Sequence, residues 1–156
     1  MDEKLYIGQD LILLNYSAKT QQEVISELGS VMTKRKLVKD DFVLSVLNRE
    51  EKYPTGLEIG EINIAIPHTE ACHVNSPCIG VAVLKEPIFF QRMDDTTKSI
   101  KVKIVFLLAL SSNHGHMEML KRIMLACRNQ DVLDFLVNTN NKNKVQKMLS
   151  EKLKGE

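Results

Sequence analysis

Gly60-Glu61-Ile62-Asn63-Ile64-Ala65-Ile66-Pro67-His68-Thr69-Glu70 sets isoleucines at 62, 64 and 66 against Asn63 and Ala65. That is the two-residue period of a strand with one face strongly buried. Pro67 ends the ladder, because it has no N–H to give and its φ is fixed. His68 should then leave the sheet on a stiffened loop at the strand's carboxyl end, where a rigid scaffold holds an exposed side chain ready for chemistry. The stretch predicts a central strand that delivers a histidine.

Downstream, Cys78-Ile79-Gly80-Val81-Ala82-Val83-Leu84 is a short apolar run between Pro77 and Pro87 and reads as a buried strand, with Ile88-Phe89-Phe90 as an edge strand beyond it. Met93 to Lys98 is a polar loop. Ile100 to Leu110 alternates at first, with Lys101 and Lys103 outward, then turns continuously apolar as a strand buried on both faces does. Ser111 to His116 should turn into a helix with Met117, Leu120, Ile123, Met124 and Cys127 as its apolar stripe. A short helix from Asp131 through Val137 and a last one carrying Val145, Met148, Leu149 and Leu153 complete the chain.

Upstream, Thr20-Gln21-Gln22-Glu23 has capping-box spacing, and Val24, Ile25, Leu28, Val31 and Met32 recur at helical intervals, which predicts a helix over about 20–35. Asp40 or Asp41 is placed to cap a second helix with Phe42, Val43, Val46 and Leu47 on one face; Pro54-Thr55-Gly56 ends it, leaving Arg49 in its last turn. Leu11 to Leu14 is either a short strand or a segment lying on the core. Helices, then three or four strands, then helices do not make the βαβα alternation of a doubly wound sheet. The expected fold is an α/β single-domain sandwich over residues 1–156, a mixed β-sheet flanked by α-helices.

Lys plus Arg number 21 against 20 Asp plus Glu, so a net charge of +1 offers no field for nucleic acid or an anionic membrane. No apolar run is long enough to span a bilayer, and Met1-Asp2-Glu3-Lys4 does not begin a signal segment. A cytoplasmic protein is expected. Cys72, Cys78 and Cys127 are too few, and odd in number, for a secreted disulfide framework.

The chemistry-bearing candidates are three. His116 sits where another core strand gives way to a helix, so two imidazoles converge on one sheet edge, and a helix amino terminus there favours an anion. Arg49 offers a planar fork of donors suited to phosphate, or else is a solvated helix-end residue. His68, Cys72, His73 and Cys78 raise the alternative of zinc, but their spacing does not fit the common structural patterns. No P-loop or dinucleotide glycine pattern occurs, and neither the cysteines nor Ser111-Ser112 beside His114 and His116 identify a hydrolase.

Arg49-Glu50-Glu51-Lys52-Tyr53-Pro54-Thr55-Gly56-Leu57, followed by Ile64-Ala65-Ile66-Pro67-His68-Thr69, resembles the enzyme IIA component of the sugar phosphotransferase system, mannitol/fructose class. The resemblance runs on through Phe106-Leu107-Leu108-Ala109 and His116-Met117-Glu118-Met119-Leu120. Phe89 to Asp94 and His68 to His73 look most like galactitol-type members. It implies a phosphocarrier that needs no cofactor and no metal. His68 matches the histidine that takes a phosphoryl group on Nε2 from the histidine phosphocarrier protein and hands it to a cysteine of the IIB component; the membrane IIC component then selects the sugar. Arg49 matches the phosphate-contacting arginine and His116 the second histidine, with His114 an extra neighbour. A regulatory domain that uses the same histidine as a signal is the rival reading.

Overall fold

The structure is a computed structural model describing residues 4–154, with the side chains of residues 113 and 114 outside the description. Met1-Asp2-Glu3, read above for targeting, and the His114 side chain therefore lie outside the described residues. Five strands form one mixed sheet in the order β1-β4-β5-β3-β2. They are β1 (Ile12–Tyr16), β2 (Gly56–Leu57), β3 (Ile64–Ala65), β4 (Cys78–Gln91) and β5 (Ser99–Ala109); the helices are α1 (Gln21–Lys34), α2 (Phe42–Lys52), α3 (Asn113–Cys127), α4 (Gln130–Asn138) and α5 (Lys142–Lys154). The α/β sandwich expected from the sequence is the fold found.

The sheet divides the core in two. On one face Ile64, Ile66, Ile104, Phe106 and Leu108 pack with Met119, Ile123, Leu133, Leu136, Val145 and Leu149 from α3, α4 and α5. On the other, Ala65, Ala82, Val105, Leu107 and Ala109 pack with Val24, Ile25, Leu28, Phe42 and Val46 from α1 and α2. Burial on both faces explains why β5, between β4 and β3, is continuously apolar. The stretch 62–66 differs from its expected form for the same reason: Ile64, Ala65 and Ile66 are all fully buried, because helices cover both sides. It pairs as a strand only at Ile64–Ala65 and lies one place in from the sheet edge, not at its centre.

Ile88-Phe89-Phe90 is likewise not a strand of its own. It continues β4, which pairs with β5 on both sides of an irregularity: Val83 faces Ile104 and Ile88 faces Val102, so Leu84 to Pro87 bulge opposite Lys103 alone. Pro87 has no N–H for the ladder, and the Lys103 ammonium donates to the Lys85 carbonyl there at 2.7 Å. Leu11 to Leu14 resolves into a 3-10 turn (Gln9–Leu11) running into β1, which pairs parallel with β4. Thr20 accepts the Glu23 N–H and caps α1, while Glu23 returns to the amide of Lys19, one residue before the cap. Asp41 precedes α2 without capping it; its carboxylate holds His73 Nδ1 at 2.9 Å instead.

Candidate functional site

The site follows from strand direction. β3 and β5 are parallel neighbours, Ile64 beside Ile104 and Ala65 beside Val105, so both deliver the following chain to the same sheet edge. Past β3, Pro67 still accepts the Leu108 N–H at 3.0 Å, and His68 follows. Past β5, Ser112 accepts the Gly115 N–H at 2.9 Å and caps α3. The helix therefore begins at Asn113, and His116 lies in its first turn instead of in the preceding turn; it is buried, as are Met119, Ile123 and Cys127 on the same face. Met117, expected in that stripe, points outward and is 63% exposed.

The imidazoles of His68 and His116 stack, with centroids 5.0 Å apart and planes inclined by 26°. Arg49, in the last turn of α2, places its guanidinium 5.2 Å from the centre of the Tyr53 ring and close enough to both histidines to disfavour their protonation. Arg49 Nε and His116 Nε2 are buried polar atoms without a hydrogen-bond partner. Such groups are costly; Arg49 Nε is a donor that an anion would satisfy, and His116 Nε2 could join it on gaining a proton.

Burial lowers the His68 pKa from its ordinary value, and Arg49 adds to that, against the opposing hydrogen bond to Ile66. Burial first, then His68 and Arg49, lower His116 to about 4. Both rings are thus neutral near pH 7. His68 Nδ1 lies 2.9 Å from the Ile66 carbonyl oxygen, which can only accept, so Nδ1 carries the proton and Nε2 keeps its lone pair. The ring is half-buried, where an exposed loop residue was expected.

Beside His68 a cleft of about 240 Å³ is lined by residues including Asn48, Arg49, Lys52, Tyr53, Thr69 and His73. Tyr53, which lines the cleft, and Met117, the residue after His116, are large apolar side chains left exposed. Among the described residues no group of three or more His, Cys, Asp or Glu side chains is placed to hold a metal ion. Cys78 is sealed in the core at the start of β4, which separates it from any such set. Among the described residues no helix is long and apolar enough to cross a membrane.

Two residues that sequence reasoning passed over are Glu50 and Thr55. Glu50 is 5% exposed and accepts the Thr55 N–H and hydroxyl, each at 2.8 Å. The signal was present: Glu50 continues the buried spacing Phe42, Val46 on α2. Burial raises its carboxyl from 4.5 to about 7, against both Thr55 bonds. The native chain then holds a proton that the unfolded chain has lost, so stability from this group falls as pH rises through that interval and is fully lost above about 7. Glu50→Gln removes the titration. Its melting temperature relative to wild type should therefore rise between pH 4.5 and 7 and level off beyond; a difference independent of pH in calorimetric melts would refute this.

Fold and paired imidazoles together define an α/β domain organised around a histidine site. The sequence matches the phosphoenolpyruvate-dependent sugar phosphotransferase system, EIIA 2, over residues 5–152, and the chain belongs to that family of phosphocarriers. It is 26% identical over 117 residues to the galactitol-specific EIIA component of the phosphotransferase system in Escherichia coli K12, covering 75% of this chain and 77% of that one. It is 28% identical over 113 residues to the transcriptional regulator ManR of Bacillus subtilis, covering 72% of this chain but 16% of the regulator. Among solved structures, the complex of mannitol enzyme IIA and phosphorylated enzyme IIB from Escherichia coli superposes with a TM-score of 0.78 at 23% identity, over 98% of this chain and all of the matched one, and shows the shared fold.

Proposed function

We propose that this chain, as a single IIA domain in the cytoplasm, accepts a phosphoryl group on His68 from the phosphorylated histidine phosphocarrier protein. It passes the group to a cysteine of a IIB component, which serves uptake and phosphorylation of a sugar or sugar alcohol through a membrane IIC component. The relative named above favours galactitol. The observation that carries the reading is the His68 ring, held by the Ile66 carbonyl with Nε2 free and stacked on His116 beside Arg49.

The Nε2 lone pair forms a bond to phosphorus as the donor's P–N bond breaks, and the donor imidazole leaves with that electron pair. In the second half-reaction the acceptor thiolate bonds to phosphorus and His68 leaves as neutral imidazole. Little covalent work falls to the protein; positioning and stabilisation of the equatorial oxygens carry the catalysis, tasks suited to the unpartnered Arg49 Nε and to His116. The exposed Tyr53 and Met117 supply apolar surface for transient docking.

A relay reconstituted from phosphoenolpyruvate, the general enzymes, this chain and candidate IIB proteins tests the reading. Label should reach His68 and move to one IIB cysteine in a sugar-dependent way. Labelling that goes no further but alters binding to a regulator would support the signalling role instead, which the similarity to ManR favours. Arg49→Lys keeps the charge and loses the fork of donors, so transfer should slow by roughly 10- to 100-fold, the worth of one charged hydrogen bond of about 1.5–3 kcal/mol. Unchanged rates in both Arg49→Lys and Arg49→Ala would make Arg49 a plain helix-end residue.

A further inference from the structure

We propose that Glu50 is a positioning residue for the His68 imidazole, acting through the Thr55 hydroxyl and the backbone of Ile66. The role rests on the phosphocarrier reading above. β2 and β3 pair Gly56 with Ala65, so the next rung would join Thr55 to Ile66. In its place the Ile66 N–H donates to Thr55 Oγ1 at 3.2 Å. The hydroxyl is fixed as an acceptor toward Ile66 because its own proton goes to Glu50 Oε1, while Oε2 takes the Thr55 N–H. The Ile66 carbonyl, which belongs to the next peptide group, across the Ile66 Cα, accepts His68 Nδ1–H. Glu50 thereby fixes the hydroxyl, the hydroxyl fixes the peptide that enters Ile66, and the carbonyl that leaves Ile66, one Cα further on, sets the ring.

The choice of side chain is informative. A carboxylate satisfies both Thr55 donors, whereas a glutamine must turn its own NH₂ toward one of them. Burial also makes the carboxyl expensive to keep, as its rise to about 7 records. A group needed only to close the turn between α2 and β2 would hold Thr55 and leave His68 indifferent to its loss. The two roles separate at the ring.

The test uses the full chain and three variants, Glu50→Gln, Thr55→Val and Thr55→Ser, each first checked for folding by circular dichroism. Long-range nitrogen–proton spectra at pH 8, recorded without partners, read the His68 tautomer. Wild type and Thr55→Ser should show the proton on Nδ1, while Glu50→Gln and Thr55→Val should show a mixture with the Nε2–H form. Single-turnover transfer from the phosphorylated phosphocarrier protein should slow roughly 10- to 100-fold in Glu50→Gln and Thr55→Val, with KM unchanged and Thr55→Ser near wild type. A wild-type tautomer in both impaired variants, or Thr55→Ser as slow as Thr55→Val, would overturn the proposal. If wild type takes no phosphate at all, the phosphocarrier reading falls, while the tautomer spectra still decide whether Glu50 positions the ring.

Discussion

Replacing His68 by alanine should abolish phosphoryl transfer through this chain. The argument is one of chemistry: His68 has the nitrogen held as a lone pair by a defined hydrogen bond to Ile66, and the reaction needs that pair. The fold should survive. The ring is half-buried and stacked on His116, so its removal costs some packing, within the ordinary range of about 0.5–3 kcal/mol. At pH just below 6.5 part of that loss is returned, because burial disfavours protonation of the ring where the unfolded chain already takes up a proton; near pH 7 and above there is no such return. Circular dichroism should therefore be native while radiolabel from phosphoenolpyruvate is absent. Full labelling of the alanine variant would defeat the assignment, as would a label stable to acid and labile to base.

The second large effect is expected at His116. His116→Ala should still take phosphate on His68, but one or both half-reactions should slow by about 10² to 10³-fold, the loss seen when one preorganised donor is removed from a well-excluded site. The resting electrostatics explain how it works. Burial and two neighbours that resist its protonation, His68 and Arg49, hold His116 at about 4, so it is neutral before the phosphoryl group arrives. A dianion bonded to the facing ring reverses that field and favours a proton on the buried Nε2, which then has a partner. Single-turnover kinetics with phosphorylated donor and with IIB acceptor resolve the two steps. Wild-type rates in both, or phosphate recovered on His116, would show this role to be wrong.

How much could be read from residues alone depended on whether a local pattern or a distant neighbour decides the structure. The capped period of α1 and the apolar run of β5 are local, and both appear where expected. The alternation at 62–66 suggested a longer strand with one bare face, because nothing in that stretch reports that α1 and α2 cover the Ala65 side. Ile88 to Phe90 looked separate because Pro87 interrupts the pattern, yet the pairing with β5 resumes beyond the bulge. Both histidines were legible as strand-end residues, and the motif resemblance joined them to Arg49. Glu50 was not, since a charged residue on a helix reads as solvated until its neighbours bury it.

The two-residue β3 ladder also has a kinetic meaning. Arg49, His68 and His116 come from the end of α2, the loop after β3 and the start of α3, and β3 must dock beside β5 before the two rings can stack. A chain made from its amino terminus exposes Arg49 and His68 while the strand and helix that complete the site are still unsynthesised. Pairings so distant in sequence form late, and Ile64, Ala65 and Ile66, buried in both halves of the core, open only when that core does. On the function proposed above, competence to carry phosphate thus arrives only with the finished fold and lasts as long as its core, so a phosphate label would distinguish a mature molecule from a nascent one.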